Sequence, residues 1–259
     1  PAIEKGFTRL IPAARKHGIA GMAVHNSYNA ATLGFHTGYL ARHGLVAFGF
    51  TNAMPAIAPV GGKTPVIGTN PLSFAVPGKK GKIAFLIDQS SSAVTWTAVK
   101  RAAEEGREIP LGWALDKEGR PTTDTQEALA GTVMPMAGYK GAVISMMIDI
   151  LSGTLTGASF GTHIGPLYGK LDTKQDIGHL FGVLDIDKMI PLPSFKERLA
   201  QMIREVKATP LAAGATAIYA PGEIEASKKV RRLEEGIPIP DGVRREFEET
   251  AAELGISFP

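Results

Sequence analysis

The residue best suited to meet a ligand's charge is Lys140, in the run Gly138-Tyr139-Lys140-Gly141 that opens the apolar stretch Ala142 to Leu155. Glycines admit close approach of the backbone, and the amides at a helix start favour an anion such as a carboxylate or pyrophosphate. An exposed lysine in a turn would have the same sequence. Asp88 follows the apolar run Ile83 to Ile87 and leads into Gln89-Ser90-Ser91-Ser92. At a strand end its carboxylate could orient a ribose hydroxyl or cap the helix that follows. Lys228, Lys229, Arg231 and Arg232 form a basic cluster, readable as a solvated helix face or as the partner of a cofactor phosphate.

Other chemistries find less support. Gly157-Ala158-Ser159-Phe160-Gly161 has the G-x-S-x-G spacing of a serine-hydrolase elbow, which needs a strand before the serine and a helix after it. A long helical pattern precedes it here, so a glycine turn ending a helix fits better. The histidines (His17, His25, His36, His43, His163, His179) include no i, i+4 pair with a carboxylate between, and there is no cysteine, so no metal site is expected. The G-x-G-x-x-G dinucleotide fingerprint is also absent.

The elements that must position these groups alternate along the chain. Ile3, Phe7, Leu10, Ile11 and Ala14 have helical spacing that stops at His17-Gly18. Ile19 to Val24 is a buried-strand pattern that delivers the polar run His25-Asn26-Ser27-Tyr28-Asn29. A helix follows through about Arg42, and a second strand, Leu45 to Phe50, ends on Thr51-Asn52-Ala53-Met54-Pro55. Residues 55–77 are rich in Pro and Gly and read as a chain of fixed turns. A strand is predicted at Ile83 to Ile87, a helix over 93–105, an irregular stretch over 110–121, a helix at Ala142 to Leu155, a strand at Leu180 to Leu184, and amphipathic helices over 194–207 and 243–254. The fold class is α/β, a mixed central sheet with flanking helices and with polar loops gathered at strand ends.

Composition narrows the partner. Among 259 residues, 28 basic and 25 acidic side chains leave a net charge of +3, too little for a nucleic-acid groove or a membrane surface, so a small molecule is expected. Without cysteine there is no disulfide framework and no thiolate nucleophile. The start, Pro1-Ala2-Ile3-Glu4-Lys5-Gly6, has no signal-peptide pattern and no initiator Met, so a cytoplasmic and trimmed or partial chain is expected.

Several of these loops together resemble one family. Asn26-Ser27, Thr51-Asn52-Ala53, Ala58-Pro59-x-Gly61-Gly62, Gly68-Thr69-Asn70-Pro71, the Asp88 strand end, Gly112-Trp113-Ala114-Leu115-Asp116, Pro121-Thr122-Thr123-Asp124, Gly138-Tyr139-Lys140-Gly141, Leu151-Ser152-Gly153-x-Leu155-x-Gly157, Gly178-His179-Leu180-Phe181 and Pro221-Gly222-Glu223 occur in that order across nearly the whole chain. They resemble the malate/L-lactate dehydrogenase family that is unrelated to the Rossmann dehydrogenases, with ureidoglycolate dehydrogenase and Δ1-piperideine-2-carboxylate/Δ1-pyrroline-2-carboxylate reductases among its members. The resemblance implies a non-Rossmann NAD(P)-binding fold and a homodimer. It implies cofactor contacts at Asn26, Ser27, Tyr28 and Asn29, at Thr51, Asn52 and Ala53, at Asp88, Gln89 and Ser90, at Lys140 and Gly141, and at Pro221, Gly222 and Glu223. Thr69 and Asn70 are expected at the substrate.

The expected reaction is hydride transfer from NADH or NADPH to C2 of a small 2-oxo acid or cyclic imino acid, with the imine-reducing branch preferred and NADP favoured by the basic cluster. Two departures bear on it. Family members carry a Ser-His-Gly proton-donor segment upstream of the first helix, which is expected to be missing here. Many also have a histidine where this chain has Asn29, and an amide cannot exchange a proton near neutral pH. Asn29, expected to position substrate and nicotinamide, and His179 are the catalytic candidates, and the proton is expected from the missing segment or from His25 or His179. The competing expectation is a non-catalytic paralogue that keeps a cofactor or ligand pocket. Residues 1–193 are expected to form the mixed-sheet cofactor-binding and catalytic domain. Residues 194–259 are expected to form a helical segment that packs with the missing N-terminal helices.

Overall fold

The computed structural model describes residues 2–166 and 172–257. The chain forms two compact units, Pro1–Ile218 and Tyr219–Pro259. The first is built on a five-stranded sheet in the order β1 (Ile19–Ser27), β10 (Ile177–Asp185), β2 (Leu45–Thr51), β5 (Leu72–Pro77), β6 (Ile83–Gln89), with every neighbour antiparallel. A smaller sheet runs β4 (Ile67–Gly68), β3 (Pro55–Ile57), β9 (Thr132–Val133), β7 (Ala114–Leu115), β8 (Pro121–Thr122). The expected mixture of strand directions comes from this second sheet, where β3 and β9 are parallel.

Helix α1 (Ala2–His17) buries Ile3, Phe7, Leu10 and Ala14, one face at helical spacing. It stops at Gly18, which has a φ of 85° and whose N–H returns to the Ala14 carbonyl at 2.7 Å. That face meets Leu33 and Leu40 of α2 (Leu33–Arg42) and Leu45, Ala47, Phe181 and Val183 of the sheet. Burying each large side chain of this set contributes about 1.5–3 kcal/mol. Phe7 stands edge-on to Phe181 at 5.3 Å between ring centroids. The second sheet has its own core, Ile57, Ile67, Ala114 and Val133 with Val99 and Ala102 of α3 (Trp96–Glu104) and Ala128 of α4 (Thr125–Ala130).

A third helix pattern, Ala142 to Leu155, resolves into α5 (Tyr139–Asp149) and a π-helical turn over Ile150–Thr154. The turn rests on β10, where the backbone of Ser152 lies against Gly178. Residues 192–207 form α6, and the second unit holds α7 (Glu223–Glu235) and α8 (Asp241–Leu254). Among the described residues no helix is long and apolar enough to cross a membrane.

Sequence periodicity starts the last strand at Leu180, whereas β10 begins at Ile177 and places His179 inside the sheet. It also reads residues 55–77 as turns, whereas β5 is a full member of the main sheet. Prolines sit at the first or last positions of a strand without breaking its ladder, and Pro71 and Pro77 bracket β5 in that way.

A side chain at position 178 would occupy the space of the Ser152 carbonyl. Gly178→Ala is therefore expected to lower stability by about 1–3 kcal/mol, the usual scale of overpacking. Urea unfolding midpoints measure this, and an unchanged midpoint would show that the π-turn yields without strain.

Candidate functional site

The antiparallel register brings the expected loops of the first unit to one end of the main sheet. Ser27 ends β1 opposite Ile177, Thr51 ends β2 opposite His179, and Gln89 ends β6 opposite Leu72. The start of α5 joins them through the loop after β6, because Met136 donates its N–H to the Ser91 carbonyl at 2.9 Å and Gln89 reaches the Met136 sulfur at 3.6 Å. Pro221, Gly222 and Glu223 belong to the second unit. There Gly222 (φ 92°) precedes α7 and the Glu223 carboxylate accepts the Ala220 N–H at 2.9 Å, closing the helix entry on itself.

Four exposed groups face solvent at this end of the first unit: Tyr28, Asn29, Asp88 and Lys140. Asp88 accepts the N–H of Gly34, in the first turn of α2, at 2.8 Å through Oδ2, while Oδ1 has no partner among the described residues. It caps the helix before its strand, not the one after. Partial burial pushes its carboxyl above the usual range, against the opposing pulls of the Gly34 N–H and the His36 ring. Lys140 lies in the first turn of α5, entered through two residues with left-handed φ, Ala137 (50°) and Gly138 (63°). A side chain at Gly141 would collide with the Met136 backbone, so this glycine is what lets the 136–138 turn fold onto the helix.

Behind these groups lies a buried polar layer that includes several expected contact residues. Asn52 is 1% exposed. Its Nδ2 donates to the Ser159 carbonyl (2.7 Å) and to Asp149 (3.1 Å), and its Oδ1 accepts the Gly178 N–H (3.0 Å). Asn70, fully buried, accepts the Ala53 N–H and donates to the Ser145 carbonyl. Both amides tie chain segments together with their hydrogen-bonding groups engaged inside the protein, which is a reason to place them behind a ligand. Thr69 is half-buried, and its carbonyl accepts from both the N–H and the hydroxyl of Ser91.

His179 is fully buried, with Nδ1 at 2.7 Å from the Thr51 hydroxyl and Nε2 at 3.1 Å from both the Tyr28 carbonyl and the Ser27 hydroxyl. Burial drives its pKa down to about 4, outweighing the Tyr28 carbonyl. A group so enclosed and so hard to protonate is a poor proton donor near neutrality. Asn29 does not compensate, since its Oδ1 accepts the Ala31 N–H at 2.8 Å and shapes its own turn.

Sequence reading passed over Asp176 and Asp149. Asp176 accepts the Asn26 N–H (2.9 Å) through one oxygen and both the N–H and hydroxyl of Ser159 (2.8 Å each) through the other. This assigns Ser159 to a clamp, and its position after a helix and before a short 3-10 turn at Gly161–His163 removes the hydrolase elbow. Asp149 lies under the C-terminal end of α5, where burial raises its pKa against the donors Asn52 and Gly161. Nothing in local periodicity signals either carboxylate, because both act on partners distant in sequence.

The His179 shift has a sign. Its folded-state pKa of about 4 lies below the ordinary value of 6.5, so the unfolded chain takes the proton first. Its contribution is complete above pH 6.5 and is lost as pH falls from 6.5 towards 4, by up to about 3 kcal/mol. Urea midpoints at pH 7 and pH 4.5 are expected to fall more for the wild type than for His179→Gln. Equal falls would assign the acid sensitivity elsewhere.

Comparison with known proteins agrees with this architecture. A family model described as malate/L-lactate dehydrogenase matches residues 1–248. The malate/(S)-sulfolactate dehydrogenase of Methanothermus fervidus is 33% identical over 256 residues, spanning 98% of this chain and 73% of the relative. The (2R)-3-sulfolactate dehydrogenase (NADP(+)) of Chromohalobacter salexigens is 42% identical over 185 residues, 71% of this chain and 55% of the relative. The solved sulfolactate dehydrogenase of Methanocaldococcus jannaschii superimposes with a TM-score of 0.90 at 29% identity, over 98% of this chain and 72% of that one. The chain belongs to the malate/L-lactate dehydrogenase family of NAD(P)-dependent dehydrogenases.

Proposed function

We propose that this chain holds a nicotinamide dinucleotide and a small carboxylate substrate for hydride transfer at C2 of a 2-oxo acid or cyclic imino acid. The observation that carries this reading is the convergence of the Tyr28–Asn29 loop, the Asp88–Ser90 strand end and Lys140–Gly141 at one end of the main sheet. When bound, the nicotinamide supplies the hydride. The groups present fit such a cofactor. Asp88 Oδ1 is an acceptor suited to a ribose hydroxyl, and Lys140 with the glycine-flanked start of α5 suits a pyrophosphate or carboxylate. Tyr28, 51% exposed, offers an aromatic face. Thr69 and Asn29 are the residues assigned to position the substrate, with Asn52 and Asn70 holding the surrounding backbone.

NADPH is the favoured cofactor. In the second unit Lys228 and Arg231 line a cavity of about 330 Å³ with Tyr219, Ile224 and Ser227, a lining suited to an additional phosphate. One observation favours the non-catalytic alternative. His179, a candidate for the proton, is buried and holds the Tyr28 carbonyl, and Asn29, which cannot exchange a proton, holds the Ala31 N–H.

NADPH fluorescence titration tests the binding, and Lys140→Met is expected to weaken it about tenfold, the loss of one charge-assisted contact. Absence of NADPH and NADH binding by the wild type would refute the proposal. Turnover with pyruvate, oxaloacetate, 3-sulfopyruvate and Δ1-pyrroline-2-carboxylate assigns the substrate, with the cyclic imine expected to be preferred. Exclusive use of oxaloacetate would reverse that preference.

A homodimer is part of the same proposal. Along α5 and into the π-turn, Val143, Met146, Met147 and Ile150 recur at i, i+3, i+4 and i+7 and are 43–58% exposed, an apolar stripe that a second copy would bury. Light scattering is expected to report a dimer that Met146→Lys with Ile150→Glu converts to monomer. A monomeric wild type would sink the idea.

A further inference from the structure

The loop between β1 and α2 is held from below by two imidazoles on different elements. His179, on β10, places Nε2 at 3.1 Å from the Tyr28 carbonyl. His36, on α2, places Nε2 at 3.0 Å from the Ala30 carbonyl. A carbonyl only accepts, so each Nε2 carries a hydrogen and each donates to the loop. The other ring nitrogens differ. Nδ1 of His179 is left to accept the Thr51 hydroxyl at 2.7 Å. Nδ1 of His36 is buried without a partner among the described residues, and its ring stands edge-on to Phe7, Phe35 and Phe181.

The loop itself adopts a shape it would not keep alone. Asn26 (φ 51°) and Ala31 (φ 56°) are both left-handed, and an alanine adopts that conformation only when its surroundings impose it. The N–H side of the loop is tied by Asp176 at Asn26 and by Asn29 at Ala31, and the carbonyl side by the two histidines. Between these ties Tyr28 and Asn29 are exposed at the ligand end of the sheet.

We infer that His36 and His179 are positioning residues. They fix the Tyr28–Ala31 loop through its carbonyls so that Tyr28 and Asn29 meet the cofactor in one preset arrangement, and they neither touch the ligand nor exchange its proton. This rests on the cofactor reading proposed above. An unheld loop must be ordered at the moment of binding, so losing either donor weakens binding without removing any contact to the ligand.

The test uses the full chain, with NADPH as the probe and hydrogen–deuterium exchange of residues 28–32 as a readout independent of the ligand. His179→Leu and His36→Leu are each expected to raise the NADPH dissociation constant at least tenfold and to speed exchange in the loop at least tenfold. Glutamine carries an N–H at about the reach of Nε2, so His179→Gln and His36→Gln are expected to recover most of both losses. Leucine variants with unchanged loop exchange would overturn the inference, as would glutamine variants no better than leucine. If one leucine variant fails to fold, the other histidine's pair decides on the same criteria. A wild type that binds no NADPH while loop exchange still follows the histidines would refute the cofactor reading and leave the loop-holding role standing.

Discussion

The backbone of Ser152 lies against residue 178, a contact that exists because residue 178 has no side chain. It seats the π-turn at the end of α5 on β10, between the ends of β1 and β2. With the turn seated, the Gly178 N–H meets Asn52, and Asn52 meets Asp149 on α5 and the Ser159 carbonyl beyond it. Ser159 is then in reach of Asp176, which holds Asn26 at the end of β1. The other end of α5, with Lys140, is placed by the same seating together with the Met136–Ser91 bond. The helix is thus fixed at both ends by backbone-level contacts, and the exposed groups around it inherit their positions.

This arrangement divides the polar residues into two layers. Asn52, Asn70, Thr51 and His179 lie inside, with their hydrogen-bonding groups consumed by other segments of the chain. Tyr28, Asn29, Asp88 and Lys140 lie outside, exposed to solvent. A buried polar group without partners is expensive, so the inner layer is complete or nearly so, and its loss would disturb several loops at once. In the proposed reading, ligand chemistry falls to the outer layer and geometry to the inner one.

How much of this was legible in the sequence depended on the range of the interaction. Helices α1, α3 and α5 and strands β1, β2 and β6 follow from local apolar spacing, and the polar runs after the strands marked the loops that converge. The strands of the second sheet are two or three residues long, too short for any period to show. The burial of His179 was hidden because Ile177 and Gly178 do not look like strand until β1 and β2 flank them. Asp176 was hidden because its two partner residues, Ser159 and Asn26, are 17 and 150 residues away along the chain. Motif resemblance points to these loops and does not separate an exposed amide such as Asn29 from a buried one such as Asn52.

The order of strands in the main sheet also sets a schedule for making the protein. Strands β2, β5 and β6 neighbour one another through connections shorter than α1 with its strand, but β10 fills the gap between β1 and β2, and Ser27 waits for a partner histidine 152 residues downstream. At ribosomal speeds of about 5–20 residues per second, that is a delay on the order of ten to thirty seconds. For that interval β1 has an unpaired edge and α1 has no Phe181 or Val183 to cover its apolar face. The nascent chain is most open to wrong association then, and its last strand is the one that ends the exposure.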